Sequence, residues 1–277
     1  MTTLVTGATG QIGRHVVEQL LAEGEEVRVV TRKPESAGFP ADVAVLAGDL
    51  KEPDSIVPAV KGADRVFLFP VSETATAVAE ILARAQVSRV VVLSSLSIVE
   101  DPDNPSSRHH LAVERAVAER GLDWTFIRPT GFATNLLWRW GDAIRNEGVV
   151  RSPYGRSARA LIHEADIAAV SSAALLHSGH SGKKYDLTGP GLVTQFDQVR
   201  LIGDAIGRDI TFQEVTPEQA REMMIKSIPE SFADMLLAGL HRQVEDPGPV
   251  LATVEQVTGR SATSFARWAM DHVADFR

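Results

Sequence analysis

No cysteine occurs among the 277 residues. That absence excludes disulfides, cysteine-ligated zinc and a thiol nucleophile, and it suits a reducing compartment. Tyrosine is scarce as well. Tyr154 and Tyr185 are the only two, and Ala158 and Gly189 stand four positions after them. No lysine lies between Lys61 and Lys183, so the chain contains no Tyr-x-x-x-Lys pair. No apolar run approaches the roughly 18 residues of a membrane span, and no membrane partner is expected. A net charge of −8 without any Lys/Arg run argues against nucleic acid as a partner. The first strand is expected from Thr2, which leaves no room for a leader and predicts a soluble, cytoplasmic protein. Neither a G-x-S-x-G nucleophile elbow nor a G-x-x-x-x-G-K-[ST] loop is present, which argues against an α/β-hydrolase and a P-loop ATPase. His163-Glu164 does not open an H-E-x-x-H motif, because Ile167 takes the fifth place. His177-x-x-His180 has no third ligand at a recognisable spacing, so no metal site is expected.

What is present is an ordinary globular composition, 44% apolar and 23% charged, patterned as alternating strands and helices. Leu4-Val5-Thr6 reads as a strand running into Gly7, followed by a helix from Ile12 to Ala22 that stops at Gly24. Val27–Thr31, Val43–Gly48, Arg65–Phe69, Arg89–Leu93 and Trp124–Ile127 continue the strand series. Asp54–Val60, Thr74–Gln86 and His110–Glu119 supply helices between them. Such alternation predicts an α/β fold, a doubly wound parallel sheet of Rossmann type, because each crossover helix must pack on the sheet. After about residue 130 the rhythm loosens. Val170–Leu176 and Gln195–Ile206 read as helices, Lys184–Leu187 and Ile210–Val215 as strands, and the last sixty residues as mostly helical. The expected organisation is a cofactor-binding core over 1–150. Residues 151–277 are expected to add remaining sheet elements and a smaller, mostly helical substrate region, interleaved as one structural unit. That region is expected over the strand ends, where open α/β sheets take their ligands.

Gly7-Ala8-Thr9-Gly10-Gln11-Ile12-Gly13 carries the strongest chemical signal. It is a G-x-x-G-x-x-G set between strand and helix. Gly7 permits the tight turn, Gly10 admits a pyrophosphate to the backbone, and Gly13 lets helix and strand pack closely. The helix start offers free N–H groups and positive dipole to phosphate. Arg32 and Lys33 follow the second strand, where an NAD site usually has an acid for the ribose 2′-OH. Two cations there suit a 2′-phosphate, so NADP is the expected cofactor, with NADPH preferred over NADH. The same two charges also suit a plain solvated strand end.

Several stretches together resemble the NmrA-like family of atypical short-chain dehydrogenases/reductases. These are Thr6 to Gly10, Gly48-Asp49-Leu50, Ser94-Ser95, Glu114 and Leu122 to Pro129. His163 to Ala168 and Tyr185 to Pro190 extend the likeness to roughly residues 2–215. The resemblance implies that Asp49 meets the adenine amino group and that the adjoining Leu50 backbone touches the ring. Asp49 equally suits a cap on the helical region at Pro53. It also implies cofactor contacts from Phe69, Pro70, Ser94 and Pro129 at the ends of later strands. The family includes NADPH-dependent quinone reductases, isoflavone-type reductases and non-catalytic redox sensors, so membership points to the cofactor before it points to a reaction.

The usual short-chain mechanism uses the Tyr and Lys that this chain lacks. By resemblance, Ser95 takes the active-site Ser or Thr position, His110 the Lys position and Ser106 the Tyr position, with His109 the alternative if the register shifts by one. An imidazole can hold the nicotinamide ribose, orient a water or donate a proton; it can equally be inert at a helix start. Ser95 can instead satisfy local backbone. Phe132, Leu136, Leu137, Trp138 and Trp140 are available to line an apolar pocket or to serve as core. Met223, Met224, Phe232, Met235, Leu236 and Leu237 suit a lid, a dimer face or core. The expected activity is NADPH-dependent hydride transfer to a small quinone or cyclic aromatic ketone, by a monomer or homodimer. Its rival is a non-catalytic NADP(H)-binding redox sensor, with a cofactor-dependent isomerase or epimerase third.

Overall fold

The computed structural model describes residues 1–277 and divides them into two compact units. The first comprises Met1–Pro129, Glu164–Leu187 and Thr253–Arg260; the second comprises Thr130–His163, Thr188–Ala252 and Ser261–Arg277. The stretch 130–150, expected in the cofactor-binding half, thus lies in the second unit. No helix is long and apolar enough to cross a membrane.

The first unit opens with β1 (Thr2–Thr6), α1 (Gln11–Ala22), β2 (Glu26–Thr31) and β3 (Ala44–Ala47). It continues through α2 (Val57–Val60), β4 (Arg65–Leu68), α3 (Ala75–Arg84) and β5 (Arg89–Leu93). α4 (Ser97–Glu100), α5 (Pro105–Ala118) and β6 (Trp124–Pro129) complete its first pass. The chain then enters the second unit with α6 (Asn135–Glu147), β7 (Val149–Ser152) and β8 (Ala158–Arg159). α7 (Glu164–Leu176) and β9 (Lys183–Leu187) belong to the first unit again. β10 (Val193–Thr194), α8 (Gln195–Ile206), β11 (Thr211–Glu214), α9 (Pro217–Met224) and α10 (Glu230–Glu245) return to the second. α11 (Thr253–Thr258) lies in the first unit and α12 (Phe265–Asp271) in the second.

Seven strands form one sheet in the order β3-β2-β1-β4-β5-β6-β9, every pair parallel. Parallel neighbours require crossover helices, and helices on both faces leave the strands buried twice over. That is why β1, β4 and β5 are continuous apolar runs without alternation, Leu4, Val66, Phe67, Val90, Val91 and Val92 all being buried. The strand order reverses beside β1, which creates the crevice where such sheets bind ligands at their carboxyl ends. α1 buries Ile12, Val16, Val17 and Leu20 and packs against α7. α7 itself is buried on most of its faces, and its Ala and Ser residues let neighbouring backbone come close. The helix begins at Glu164, not at Val170, with Glu164 and Asp166 in its first turn. α5 likewise begins at Pro105 with Asn104 capping the Ser106 N–H at 2.8 Å, so His110 stands inside the helix rather than at its start.

In the second unit Leu136, Trp140 and Ile144 of α6 share a core with Val199, Ile202 and Ile206 of α8. Phe265 and Trp268 of α12 join them, as does Phe276. Thr194 and Asp197 form a reciprocal capping box at the start of α8. The expected strand near 210–215 is β11, paired in parallel with β7, a strand the apolar pattern did not announce.

Candidate functional site

Because all seven strands are parallel, the loops that follow β1 to β6 leave from one edge of the sheet. The residues expected to hold a cofactor stand in those loops: Gly7–Gly13 after β1, Arg32 and Lys33 after β2, Asp49 and Leu50 after β3. Phe69 and Pro70 follow β4, Ser94 and Ser95 follow β5, and Pro129 ends β6.

The glycine turn is built from two close approaches. Gly7 has φ +61°, a left-handed conformation that glycine adopts without strain. A Cβ there would lie 2.9 Å from the Phe69 Cβ. An ideal Cβ on Gly13 would lie 2.2 Å from the Gly7 carbonyl oxygen, so the first turn of α1 can seat on the loop only as glycine. Gly10 is different. A Cβ there meets nothing nearer than the Gly7 carbonyl at 3.2 Å. Gly10 caps α1 with no side-chain hydrogen bond, which leaves the first N–H groups of the helix, those of Gln11, Ile12 and Gly13, to an outside acceptor. Thr9 stands in the turn before them. Thr6 ties this loop to β4: its hydroxyl donates to the Phe67 carbonyl at 3.0 Å and accepts from the Phe69 N–H at 2.7 Å. Phe69 is exposed above Gly7 while Pro70 is buried.

At the β2 end, Arg32 and Lys33 are exposed and neither side chain has an ion pair. A third cation comes from α1. Arg14 donates to the Ala37 carbonyl at 3.2 Å and lies over the Phe39 ring at 5.1 Å, which fastens the loop after β2 to the helix start. Its place beside Gly13 was the available sequence signal. Asp49 accepts the Lys51 N–H at 2.9 Å through its carboxylate, and its own N–H is held by the Ser55 hydroxyl at 2.9 Å. Its side chain therefore braces its own turn, while the helical turn at Pro53–Ile56 starts after Glu52 without a side-chain cap. Leu50 is buried and its carbonyl accepts the Thr74 hydroxyl at 2.6 Å.

Ser94 behaves differently from its expected part in cofactor contact. Its hydroxyl is buried and donates to Glu114 at 2.6 Å. The same carboxylate receives two nitrogens of Arg128, at 2.8 and 2.5 Å. A buried carboxylate needs donors on both oxygens; Arg128 serves both, and Ser94 adds a second donor to one of them. Ser95 is half-buried, with its hydroxyl 2.9 Å from that of Ser97 and accepting the Ser97 N–H at 3.2 Å. The Pro129 carbonyl accepts the Leu96 N–H at 2.9 Å, closing the β5 and β6 ends together.

The two histidines of α5 part company. His109 lies 3.3 Å from the Pro70 carbonyl through Nε2 and 2.8 Å from the Ser72 hydroxyl through Nδ1. A carbonyl only accepts, so Nε2 donates to it, and the Ser72 hydroxyl pairs with Nδ1. His109 thus pins the loop after β4 to α5. His110 is half-buried, and its Nδ1 has no partner. Burial, with the neighbouring His109 charge second and Glu114 opposing, pushes its pKa down to about 4. At neutral pH it is an uncharged imidazole, so the cationic role of a lysine passes to no residue at this position. No hydrogen bond joins it to Ser95. Within the second unit Leu136 and Trp140 are core, whereas Trp138 is 50% exposed and its ring lies 6.3 Å from that of Phe232.

A phosphate-bearing nucleotide fits this edge: a helix start without a side-chain cap, a glycine that leaves it uncovered, and exposed cations at the β2 end. The family described as NAD(P)H-binding matches residues 7–178. The chain belongs to that family. Its NAD(P)H-binding Rossmann architecture is shared along the whole length with reductases. The (4-alkanoyl-5-oxo-2,5-dihydrofuran-3-yl)methyl phosphate reductase of Streptomyces griseus is 35% identical, the alignment covering 99% of this chain and 98% of that one. The NAD(P)H azoreductase of Xenophilus azovorans is 34% identical over 99% of this chain and 98% of its own. The crystal structure of the Citrobacter sp. triphenylmethane reductase complexed with NADP(H) superimposes with a TM-score of 0.83 at 21% identity, covering 99% and 100% of the two chains.

Proposed function

We propose that this NAD(P)H-dependent oxidoreductase is an NADPH-dependent reductase of a small quinone or cyclic aromatic ketone. The observation that carries the proposal is the pairing of an uncovered α1 start with unpaired Arg32 at the β2 end, in a chain whose full-length relatives are reductases. The backbone of Gly7–Gly13 would hold the pyrophosphate, and Arg32, Lys33 and Arg14 the 2′-phosphate. Asp49 and Leu50 would border the adenine. Phe69, Pro70 and Pro129 would border the nicotinamide, with only the main chain of Ser94 on that side. The bound dinucleotide supplies a hydride to the acceptor.

The protein's own part is orientation and proton supply. Ser95 would donate to the acceptor oxygen, once its hydroxyl turns from Ser97. His110, neutral at working pH, can donate from one ring nitrogen and accept at the other, which suits holding a ribose hydroxyl or a water. Neither is a strong acid. A quinone or polyaromatic ketone tolerates that, because charge arriving on oxygen spreads into the ring and water completes the protonation. Placing donor and acceptor together supplies the rest of the acceleration.

The deciving assay is oxidation of NADPH against a panel of quinones and polyaromatic ketones, with NADH in parallel. Turnover with NADPH that falls in both Ser95→Ala and His110→Ala is the expected result; full turnover in both variants removes these residues from the mechanism. A redox-sensing regulator is the second reading, favoured by the engagement of Ser95 with Ser97. Tight NADP(H) binding without turnover of any acceptor selects it.

A further inference from the structure

α1, α7 and α11 enclose a cavity of about 410 Å³, and every residue that lines it belongs to the first unit. Because β1 and β2 are parallel, α1 runs back along the sheet from the glycine turn. Its 12 residues span about 18 Å at 1.5 Å each. The cavity takes the last turn of that helix, so it stands at the sheet edge opposite the cofactor loops. Its size is that of a small-ligand pocket. Ala22, Ala169, Ala173, Leu176 and Val257 give it an apolar wall, and no Phe, Tyr or Trp lines it.

Two acceptors stand on one face of α1. Gln19 and Glu23 are one turn apart, a spacing that puts Cβ atoms about 5–6 Å from each other. The Gln19 amide donates from Nε2 to the Ala165 carbonyl at 3.0 Å, which leaves its Oε1 free. The Glu23 carboxylate is exposed and makes no hydrogen bond or ion pair. Ser172 also lines the cavity; it is buried and its hydroxyl has no partner, a cost that a polar group reaching it would remove. The nearby cations are already engaged. Arg260 lines the cavity, but its Nη1 donates at 3.0 Å to Asp166, whose side chain is wholly buried. Arg89 donates to the Leu175 and His177 carbonyls at 2.8 and 2.6 Å, which also takes up the end of α7. Glu23 is the carboxylate of the lining left without a counter-charge.

We propose that this cavity binds a small organic ammonium ion, a primary amine on a short apolar body. The ammonium donates to Gln19 Oε1 and the Glu23 carboxylate, and the body lies against the Ala173 and Leu176 wall. A quaternary ammonium does not suit the site, since it has no N–H to donate and finds no aromatic face. The site is separate from the cofactor edge and holds whatever the reaction there.

The test pairs isopentylamine with isopentyl alcohol, which share the apolar body and differ in charge. Each is titrated into the nitrogen-15-labelled, NADP-loaded full chain while amide chemical shifts are followed. The amine should move the amides of the last turn of α1 and the second half of α7. It should bind at least about tenfold tighter than the alcohol, the scale of a charge-assisted hydrogen bond. That preference should collapse toward unity in Glu23→Gln, whose exposed position spares the fold. Ala173→Leu should weaken both probes by filling the space beside the wall. Equal binding of amine and alcohol by the wild type overturns the proposal, as does a preference that survives Glu23→Gln. Shifts confined to the cofactor loops overturn it too, since the amine would then sit on the nucleotide phosphates. Ammonium chloride binding as tightly as the amine would remove the apolar wall from the site. L-leucine binding more tightly than the amine would make the occupant a zwitterion held by Arg260. Either result overturns a monocation with an apolar body.

Discussion

His110 and Ser94 show how burial assigns work to polar side chains that look alike in sequence. His110 has a pKa of about 4 in the folded protein against 6.5 unperturbed. Between those values the unfolded chain binds the proton and the native protein does not, so stability is full above pH 6.5 and declines as pH falls toward 4. A fully buried group shifted that far would contribute up to ~3 kcal/mol, and solvent access to His110 reduces the figure. His110→Gln should flatten this part of the acid limb. Urea unfolding at pH 7 and pH 4.5 reads it as a smaller stability loss in the variant than in the wild type; equal losses would remove His110 from the acid response. Ser94→Ala isolates the opposite case. Its hydroxyl adds a donor to the Glu114–Arg128 pair, so its loss should cost roughly 1.5–3 kcal/mol of stability, the worth of a hydrogen bond to a charged group. NADPH affinity should change little. A large fall in calorimetric NADPH affinity at unchanged stability would return the Ser94 side chain to the cofactor site.

The start of α1 separates what a glycine does for the fold from what it does for a ligand. Gly13→Ala forces a Cβ to within 2.2 Å of the Gly7 carbonyl and should destabilise the protein by more than ~2 kcal/mol, as overpacking does. Gly10→Ala meets only a 3.2 Å neighbour and should alter stability by less than ~1 kcal/mol, yet lower NADPH affinity at least about tenfold by covering the phosphate side of the helix. Thermal unfolding and NADPH titration of both variants distinguish the two roles; parallel losses in Gly10→Ala would make it a packing glycine only. This turn was legible in sequence because strand, glycines and helix follow one another within a dozen residues. The doubly buried strands were legible for the same local reason. α7 was half hidden, since a helix buried on most faces loses its 3.6-residue period. α5 was foreshortened because Ser106, Ser107 and Arg108 carry no apolar signal, although Asn104-Pro105 is a helix start. The passage of 130–163 into a second unit is a tertiary fact that no local pattern encodes.

The molecule as a whole carries a net charge of −8, and NADPH exceeds NADH by one phosphate of about −2 charge. The global field therefore opposes the cofactor we propose, and the preference must come from local cations. Arg14, Arg32 and Lys33 are the ones that sit at the β2 end of the sheet edge. Of these Arg14 already serves the Ala37 carbonyl, which leaves Arg32 as the free guanidinium. Arg32→Glu replaces an attraction with a repulsion at that point and offers the ribose 2′-OH an acceptor. The ratio of NADH to NADPH dissociation constants should fall by roughly 10- to 100-fold, the range of a charge-assisted hydrogen bond. Salt provides the control. Exposed charges are screened over about 10 Å at 0.1 M, so raising ionic strength should weaken NADPH more than NADH in the wild type. In Arg32→Glu that difference should shrink or reverse. A cofactor preference unmoved by the substitution and by salt would place the 2′-phosphate away from Arg32, and would leave the cation pair at the end of β2 as solvated surface.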